Sequence, residues 1–321
     1  MSKRVAAIDC GTNSLRLLIA DIDPARHELT DVERRMEIVR LGQGVDATGR
    51  LAPEALERTF RVLADYARLI RDTGTAAVRM VATSATRDAS NAAEFSRGVQ
   101  DRLGITPQVI TGFAEARLSF AGATAELTAP GPGHPEPPYL VVDIGGGSTE
   151  FVLGKPGVND IEPGDLAEIS VDIGCVRLTE RHLHADPPAA AEVAAATADI
   201  DRALDDVAAA IAVQDARTLV GLAGSVTTLT AIALDLPVYD ATRTHHARIT
   251  AGRVHEVTAQ LLTTTRRERA AIPSLHPGRV DVIGAGALIL DRVMQRFGFG
   301  ELVTSEHDIL DGIAWSIADG G

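Results

Sequence analysis

Short apolar runs alternate along this chain with longer stretches whose apolar residues recur every three or four positions. Val5 to Ile8 reads as a buried strand, and Leu15 to Ile22 as a second strand after a turn. Leu51 to Asp72 carries Leu56, Phe60, Leu63, Ala67 and Ile70 on one stripe. Pro53 stands near its first turn and Gly74 beyond its end, so this segment is predicted to be a helix. Val78 to Ala82 is a strand. Asn91 with Glu94 three residues on predicts a capping box, opening a helix with Phe95, Val99 and Leu103 that Gly104 closes. Gln108 to Ile110 is a short strand and Ala114 to Leu127 a helix. Five prolines between Pro130 and Pro138 exclude helix or central strand and predict a surface loop.

Tyr139 to Val142 restarts the strand pattern. Asp186-Pro187 is expected to open a long helix with Val193, Ile200, Leu204, Val207 and Ile211 on one face. Thr218 to Leu222 is a strand, with a helix from Val226 onward. Val280 to Phe297 is helical, Glu301 to Thr304 a strand, and Asp308 to Ala318 a terminal helix. This alternation is that of an α/β protein.

The order runs twice through the chain, which prompts a search for a repeat. Ile8-Asp9-Cys10-Gly11-Thr12-Asn13-Ser14-Leu15-Arg16 aligns with Val142-Asp143-Ile144-Gly145-Gly146-Gly147-Ser148-Thr149-Glu150 at an offset of 134. Val81-Ala82-Thr83-Ser84-Ala85 aligns with Leu222-Ala223-Gly224-Ser225-Val226 at a similar offset. Two matched loops in the same order predict duplicated domains that face each other.

In both copies of the first loop, a strand ends in Asp and a Gly/Ser/Thr/Asn turn follows. Consecutive backbone N–H groups in such turns form an anion-binding nest. A carboxylate beside that nest is the usual way to hold Mg²⁺ against phosphate oxygens. Competing motifs fail on context. A dinucleotide fingerprint needs its glycine loop to open a helix, whereas Glu150-Phe151-Val152-Leu153 is a strand pattern. A Walker A loop needs Gly-Lys-Ser/Thr, which does not occur. The plainer reading is a pair of tight hairpins with glycine for sterics alone.

Composition narrows the partners. The 321 residues carry a net charge of −13 and only 3% aromatics. Such a chain repels DNA and anionic membranes and lacks the rings of a base-stacking RNA binder. No apolar stretch is long enough to span a bilayer. The two cysteines, Cys10 and Cys175, suit a cytoplasmic protein with reduced, partly buried thiols.

Ile8 through Leu17 resembles the opening motif of the exopolyphosphatase/guanosine pentaphosphate phosphohydrolase family. Thr83-Ser84-Ala85-Thr86-Arg87 resembles its second signature. Gly112-Phe113-Ala114-Glu115-Ala116-Arg117-Leu118 and Asp143 through Glu150 resemble its third and fourth. Gly174-Cys175-Val176-Arg177-Leu178, Gly221-Leu222-Ala223-Gly224-Ser225 and Arg279-Val280-Asp281-Val282-Ile283 match further on. These matches cover nearly the whole chain in family order.

The resemblance implies two ribonuclease-H-like domains of the actin-like ATPase superfamily with the active site in a cleft between them. The expected bounds are 1–128 plus 305–321 for the first and 129–304 for the second. It implies Mg²⁺-dependent release of terminal phosphate from polyphosphate, conversion of guanosine pentaphosphate to tetraphosphate, or both. It also implies a homodimer. Longer members add a helical region after the second domain. Its lack here is expected to weaken processive handling of long polymers, so short chains are favoured. Ser305-Glu306-His307-Asp308-Ile309-Leu310-Asp311-Gly312 departs from the Arg-Glu-Gly ending of the family.

The matches assign roles. Phosphoanhydride hydrolysis needs a positioned water, charge neutralisation and a base or orienting group. Glu115, one turn into a helix, is the candidate to ready the water. Asp143 and Glu150 are the Mg²⁺ carboxylates, with Asp9 their equivalent in the first copy. Read alone, Asp9 is an ordinary turn former. Arg16 stands where the second copy has Glu150, and is expected to face Glu150, a phosphate or solvent. Arg87 is expected to bind phosphate, or else to pair with Asp88 or Glu94. Asn13, Ser14, Gly145, Gly146, Gly147 and Ser148 cradle phosphate. Ser148 is no nucleophile, because no His–Asp constellation accompanies it.

Three features read as surface. His182-x-His184 and His245-His246 lack the spacing of a zinc site. Arg266-Arg267-Glu268-Arg269 is a basic patch, either a solvated turn or a polyanion track. Asp199, Asp201, Asp205 and Asp206 predict a solvated acidic helix face. Two other functions compete with hydrolysis: an actin-like-fold ATP-dependent kinase, with Gly221 to Ser225 near an adenosine, and a non-catalytic phosphate or nucleotide sensor.

Overall fold

The computed structural model describes residues 2–26, 28–125, 127, 134–155 and 166–318. The chain forms two compact units, Met1–Gly122 with Ile309–Gly321, and Ala123–Asp308.

The first unit is built on β1 (Lys3–Cys10), β2 (Ser14–Asp23), β3 (Glu28–Ile38), β4 (Ala77–Ala82) and β5 (Gln108–Val109). They lie in the order β3-β2-β1-β4-β5. β1, β2 and β3 are antiparallel neighbours joined by turns, while β4 runs parallel to β1 and β5 parallel to β4. The parallel return from β3 to β4 uses the helix Pro53–Asp72 as its crossover. Ala6, Ile8 and Cys10 face the helices Pro53–Asp72 and Ala92–Leu103, whereas Val5 and Ala7 face the helix Ile309–Ala318. A strand covered on both faces reads as an unbroken apolar run, which is why Val5 to Ile8 shows no alternation.

The second unit holds β6 (Tyr139–Ile144), β7 (Thr149–Gly154), β8 (Ala167–Val171), β9 (Thr218–Leu222), β10 (Arg248–Thr250) and β11 (Glu301–Thr304). Their order is β10-β11-β9-β6-β7-β8. Traced from β8, this repeats the first sheet: an antiparallel trio followed by two parallel strands, with β10 added antiparallel at the edge. The ribonuclease-H-like order therefore occurs twice. One core cluster ties Ala196, Ile200, Leu204 and Val207 of the helix Ala190–Ala210 to the helices Ala223–Ala233, Ala251–Thr263 and Ile283–Phe297.

Several sequence expectations need correction. β3 escaped notice because none of its residues is buried. An edge strand dressed in charge shows no core periodicity. The predicted capping box at Asn91 does not form. Its side chain instead accepts from Leu51 N (2.8 Å) and donates to Leu51 O (3.1 Å), tying the approach to the preceding helix. The long helix begins at Ala190, not at Asp186-Pro187: Glu192 accepts from Ala189 N at 2.8 Å, while Asp186 accepts from Arg266 N at 2.7 Å. The acidic face of that helix is largely paired. Asp199 meets Arg181, His182 and Arg202, Asp201 meets Arg292, and Asp205 meets Arg296. Of the proline-rich loop, residues 130–133 lie outside the described residues.

The divergent ending has a physical account. Leu310 is buried in the cluster beneath β1 and β2. Asp311 is also buried, and Arg34 of β3 reaches it at 2.6 Å while also holding Asp31 at 2.7 Å. Burial works against the Arg34 charge, but Asp311 and Asp31 outweigh it and raise its pKa. Arg34→Met is expected to destabilise the first unit by about 3 kcal/mol, because it strips the buried Asp311 of this cation. Urea unfolding followed by a probe in the first unit measures it; a loss below ~1 kcal/mol would refute the assignment.

Candidate active site

Two hairpins carry the site residues. In the first unit, β1 and β2 place Asp9 directly opposite Arg16. The guanidinium donates to Asp9 Oδ2 from Nη2 (2.7 Å) and Nε (3.0 Å). In the second unit, the same register sets Asp143 opposite Glu150. Both are buried, Asp143 7% and Glu150 1% exposed, and Glu150 Oε1 accepts from Ser170 Oγ at 2.8 Å. Like charges placed directly across a strand pair repel. The first hairpin thus carries its own cation, while the second sets two carboxylates side by side.

The turns of the two hairpins share one scaffold. Gly11 N donates to Ser14 O at 3.0 Å, and Gly145 N donates to Ser148 O at 3.0 Å. Neighbouring backbone then takes the loop carbonyls. In the first unit, Gly42 N reaches Thr12 O (2.8 Å), and Val39 N and Arg40 N reach Asn13 O (3.0 and 2.9 Å). In the second, the start of the helix Cys175–His182 does this work. Cys175 N reaches Gly145 O (3.0 Å), and Val176 N and Arg177 N reach Gly146 O (2.9 and 3.1 Å). A trans, planar peptide points its N–H opposite its C=O. Pinning these carbonyls therefore turns the amides of Asn13 and Ser14, and of Gly146 and Gly147, outward from the pinning segments. Such close approach demands glycine at both contacts. A Cβ on Gly42 would lie 2.3 Å from Thr12 Cγ2, and one on Gly174 2.4 Å from the Gly146 carbonyl.

Glu115 and Arg87 meet in the first unit. Glu115 lies in the first turn of the helix Gly112–Thr124, whose entry Thr111 secures: its Oγ1 accepts from Ala114 N (3.2 Å) and its carbonyl from Glu115 N (3.0 Å). Arg87 Nη1 donates to Glu115 Oε2 at 3.2 Å and to Ile110 O at 3.1 Å. The partner of Arg87 in this unit is therefore the candidate catalytic carboxylate; Glu94 instead takes a bond from Asn91. Thr12 Oγ1 and Ser84 Oγ, 2.8 Å apart, link the first hairpin turn to the short helix Ser84–Arg87. In the second unit, Arg279 Nη1 donates to Gly224 O (3.0 Å) and Thr228 Oγ1 (2.8 Å), bracing the first turns of the helix Ala223–Ala233 that follows β9.

Other candidates fall to structural roles. Arg269 is buried, and its guanidinium donates to the carbonyls of Leu261, Thr264 and Val280, so it staples a turn rather than tracking an anion. His182 pairs with Asp199, and the His245 ring stacks on His246. Cys10 and Cys175 are free and buried. Burial, with Asp9 adding to it at Cys10, pushes both thiols up, so neither is an activated nucleophile. No helix among the described residues is long and apolar enough to cross a membrane.

Sequence reasoning gave no role to Gly42, Thr111 or Ser84. Gly174 and Arg177 stood inside a matched motif without one. The signal for Gly42 and Gly174 was present: each follows the third strand of its repeat.

The chain matches the Ppx/GppA phosphatase family over residues 18–319. It is 50% identical to a Mycobacterium tuberculosis protein named Exopolyphosphatase 2, over 98% of both chains. It is 28% identical to the guanosine-5'-triphosphate,3'-diphosphate pyrophosphatase of Pseudoalteromonas atlantica, over 98% of this chain and 58% of that one. The crystal structure of the Aquifex aeolicus Ppx/GppA family member superimposes with a TM-score of 0.80 at 32% identity, covering 100% of each chain. The fold is accordingly that of the actin-like ATPases. With its duplicated hairpins, the pairing of Arg87 with Glu115 and this match along nearly its whole length, the chain belongs to the Ppx/GppA phosphatase family.

Proposed function

We propose that this protein is a Mg²⁺-dependent phosphoanhydride hydrolase. It releases terminal orthophosphate from inorganic polyphosphate, short chains foremost, and acts on guanosine pentaphosphate by the same chemistry. The observation that carries the reading is the Asp143–Glu150 carboxylate pair beside the outward amides of Gly146 and Gly147. The likeness to an exopolyphosphatase and to a guanosine-5'-triphosphate,3'-diphosphate pyrophosphatase supports it.

The donor set suits Mg²⁺. Among the described residues, no three His, Cys, Asp or Glu side chains converge on a metal cage. Mg²⁺ in phosphoryl-transfer sites is usually held by only one or two carboxylates, with substrate phosphates and water completing its shell. Asp143 and Glu150 of the second unit would hold it; Asp9, whose Oδ2 is committed to Arg16, stands at the equivalent position of the first unit. When bound, the ion neutralises charge on the phosphate oxygens.

The remaining work falls to the chain. Asn13, Ser14 and the Gly145–Ser148 loop bind phosphoryl oxygens through backbone amides. Arg16 adds positive charge beside Asp9. Glu115 orients a water and accepts its proton as the water oxygen attacks the terminal phosphorus. The anhydride P–O bond breaks, orthophosphate departs, and the shortened chain carries the leaving oxygen. Arg87 holds the Glu115 carboxylate in place and offers charge to the transferring group. Two free, buried thiols fit a cytoplasmic home, and the family resemblance suggests a homodimer.

Three outcomes test this. Incubated with Mg²⁺ and short polyphosphate, the protein is expected to release orthophosphate with no sugar or acid acceptor present; a strict acceptor requirement would convert the reading to a kinase. Glu115→Gln should lower kcat by ~100-fold or more with little change in KM; retained turnover would remove Glu115 from its role. Chelation should abolish release and Mg²⁺ restore it, with Asp143→Asn raising the half-saturating Mg²⁺ by about tenfold or more. The net charge of −13 predicts a further trend. Salt screens repulsion of the polymer outside the site, so the ratio of KM for long to short polyphosphate should fall as ionic strength rises. A ratio insensitive to salt contradicts the preference for short chains.

A further inference from the structure

We propose that Arg177 is a positioning residue: its guanidinium fixes the Gly147–Ser148 peptide so that the Ser148 amide joins those of Gly146 and Gly147 in gripping one phosphoryl group. The inference rests on the hydrolase reading only for the identity of that anion.

The geometry leaves a task that backbone alone does not perform. The first amides of the helix Cys175–His182 are spent on Gly145 O and Gly146 O, and the next, Leu178 N, closes a helical bond to Gly174 O at 2.9 Å. Gly147 O is held instead by a side chain, Arg177 Nε, at 2.6 Å. The Arg177 side chain is only 11% exposed, and Asp172 lies 3.8 Å from its Nη2, so the guanidinium is confined in direction. Peptide planarity then turns the Ser148 N–H away from the start of that helix, as it turns the Gly146 and Gly147 amides. Three successive amides aimed alike make a nest that closes on an anion. A charged donor on the carbonyl also polarises that peptide, making its N–H the stronger donor.

The first unit supplies a control. There the equivalent carbonyl, Asn13 O, is held by backbone from Val39 and Arg40, and Arg40 adopts a left-handed φ of 51° to do so. The second unit replaces that backbone contact with a side chain. Arg177 can therefore be changed without rebuilding a loop.

The probe is imidodiphosphate with Mg²⁺, titrated calorimetrically, alongside kinetics on short polyphosphate and the ¹⁵N-amide spectrum. Losing one charge-assisted bond that fixes an amide should weaken imidodiphosphate binding by about tenfold or more in Arg177→Met. KM should rise in step while kcat moves less. In wild type, imidodiphosphate should shift the Ser148 amide; in Arg177→Met that shift should be lost, while Gly146 and Gly147 retain theirs. Arg177→Lys, which keeps one donor, should recover part of the affinity and the Ser148 shift. Binding within twofold of wild type in folded Arg177→Met would overturn the proposal, and if Arg177→Met does not fold, Arg177→Gln, which removes the charge, is measured in its place by the same criterion. Equal loss of stability in both variants, with no separate loss of the Ser148 shift, assigns Arg177 to folding and also overturns it. A wild type that binds no imidodiphosphate overturns it as well. A wild type that binds but releases no orthophosphate sinks the hydrolase reading and leaves the Arg177 comparison standing.

Discussion

Two carboxylates facing each other across adjacent strands are the constraint around which the second unit is organised. Asp143 and Glu150 occupy a directly opposed pair at the loop end of β6 and β7. Like charges so opposed repel, and burial leaves little water to screen them. A sequence selected for stability alone would place an apolar or oppositely charged pair there. The first unit shows that solution at the equivalent position, where Asp9 faces Arg16. A carboxylate pair retained beside a loop of outward amides is the pattern expected of a site that collects a cation and an anion together.

The duplication explains how such asymmetry arises without disturbing the fold. Both hairpins keep the same closing bond, from the glycine amide to the serine carbonyl three residues on. Both need a glycine after the third strand, because a Cβ would strike the loop. Side chains at the hairpin mouths then diverge while the backbone frame persists. The division of labour follows: an internally neutralised hairpin together with Glu115 and Arg87 in one unit, and the paired carboxylates in the other.

The repeat was legible because it rests on backbone requirements that only a few residue types satisfy. Asp, Gly and Ser at an offset of 134 marked both loops, and the continuous apolar runs marked the central strands. What stayed hidden depends on choices among similar partners. Asn91 and Glu94 look like a cap, yet Leu51 competes for the same amide and wins two bonds. The Arg87 guanidinium had Asp88 and Glu94 as near neighbours in sequence, but in the fold it reaches Ile110 O and Glu115, 28 positions from it in the second case. β3 is charged and unburied, so its existence is fixed by the ladder with β2 rather than by its own pattern. Leu310 and Asp311 become intelligible only with Arg34 beside them.

Anion recognition in an acidic chain raises a last question of range. The arginines at the proposed machinery are bonded within their own units: Arg16 with Asp9, Arg87 with Glu115, and Arg177 with Gly147 O. At a distance the net charge of −13 opposes a polyanion. Oriented amides act differently. Their partial charges sum only within hydrogen-bond reach, and they favour an anion whose oxygens match their spacing. A site built this way ignores a polyanion passing at a Debye length and holds a phosphoryl group that arrives in contact. That is the selectivity needed to process a chain from its end, because an interior phosphoryl group presents fewer free oxygens and less charge than the terminal one.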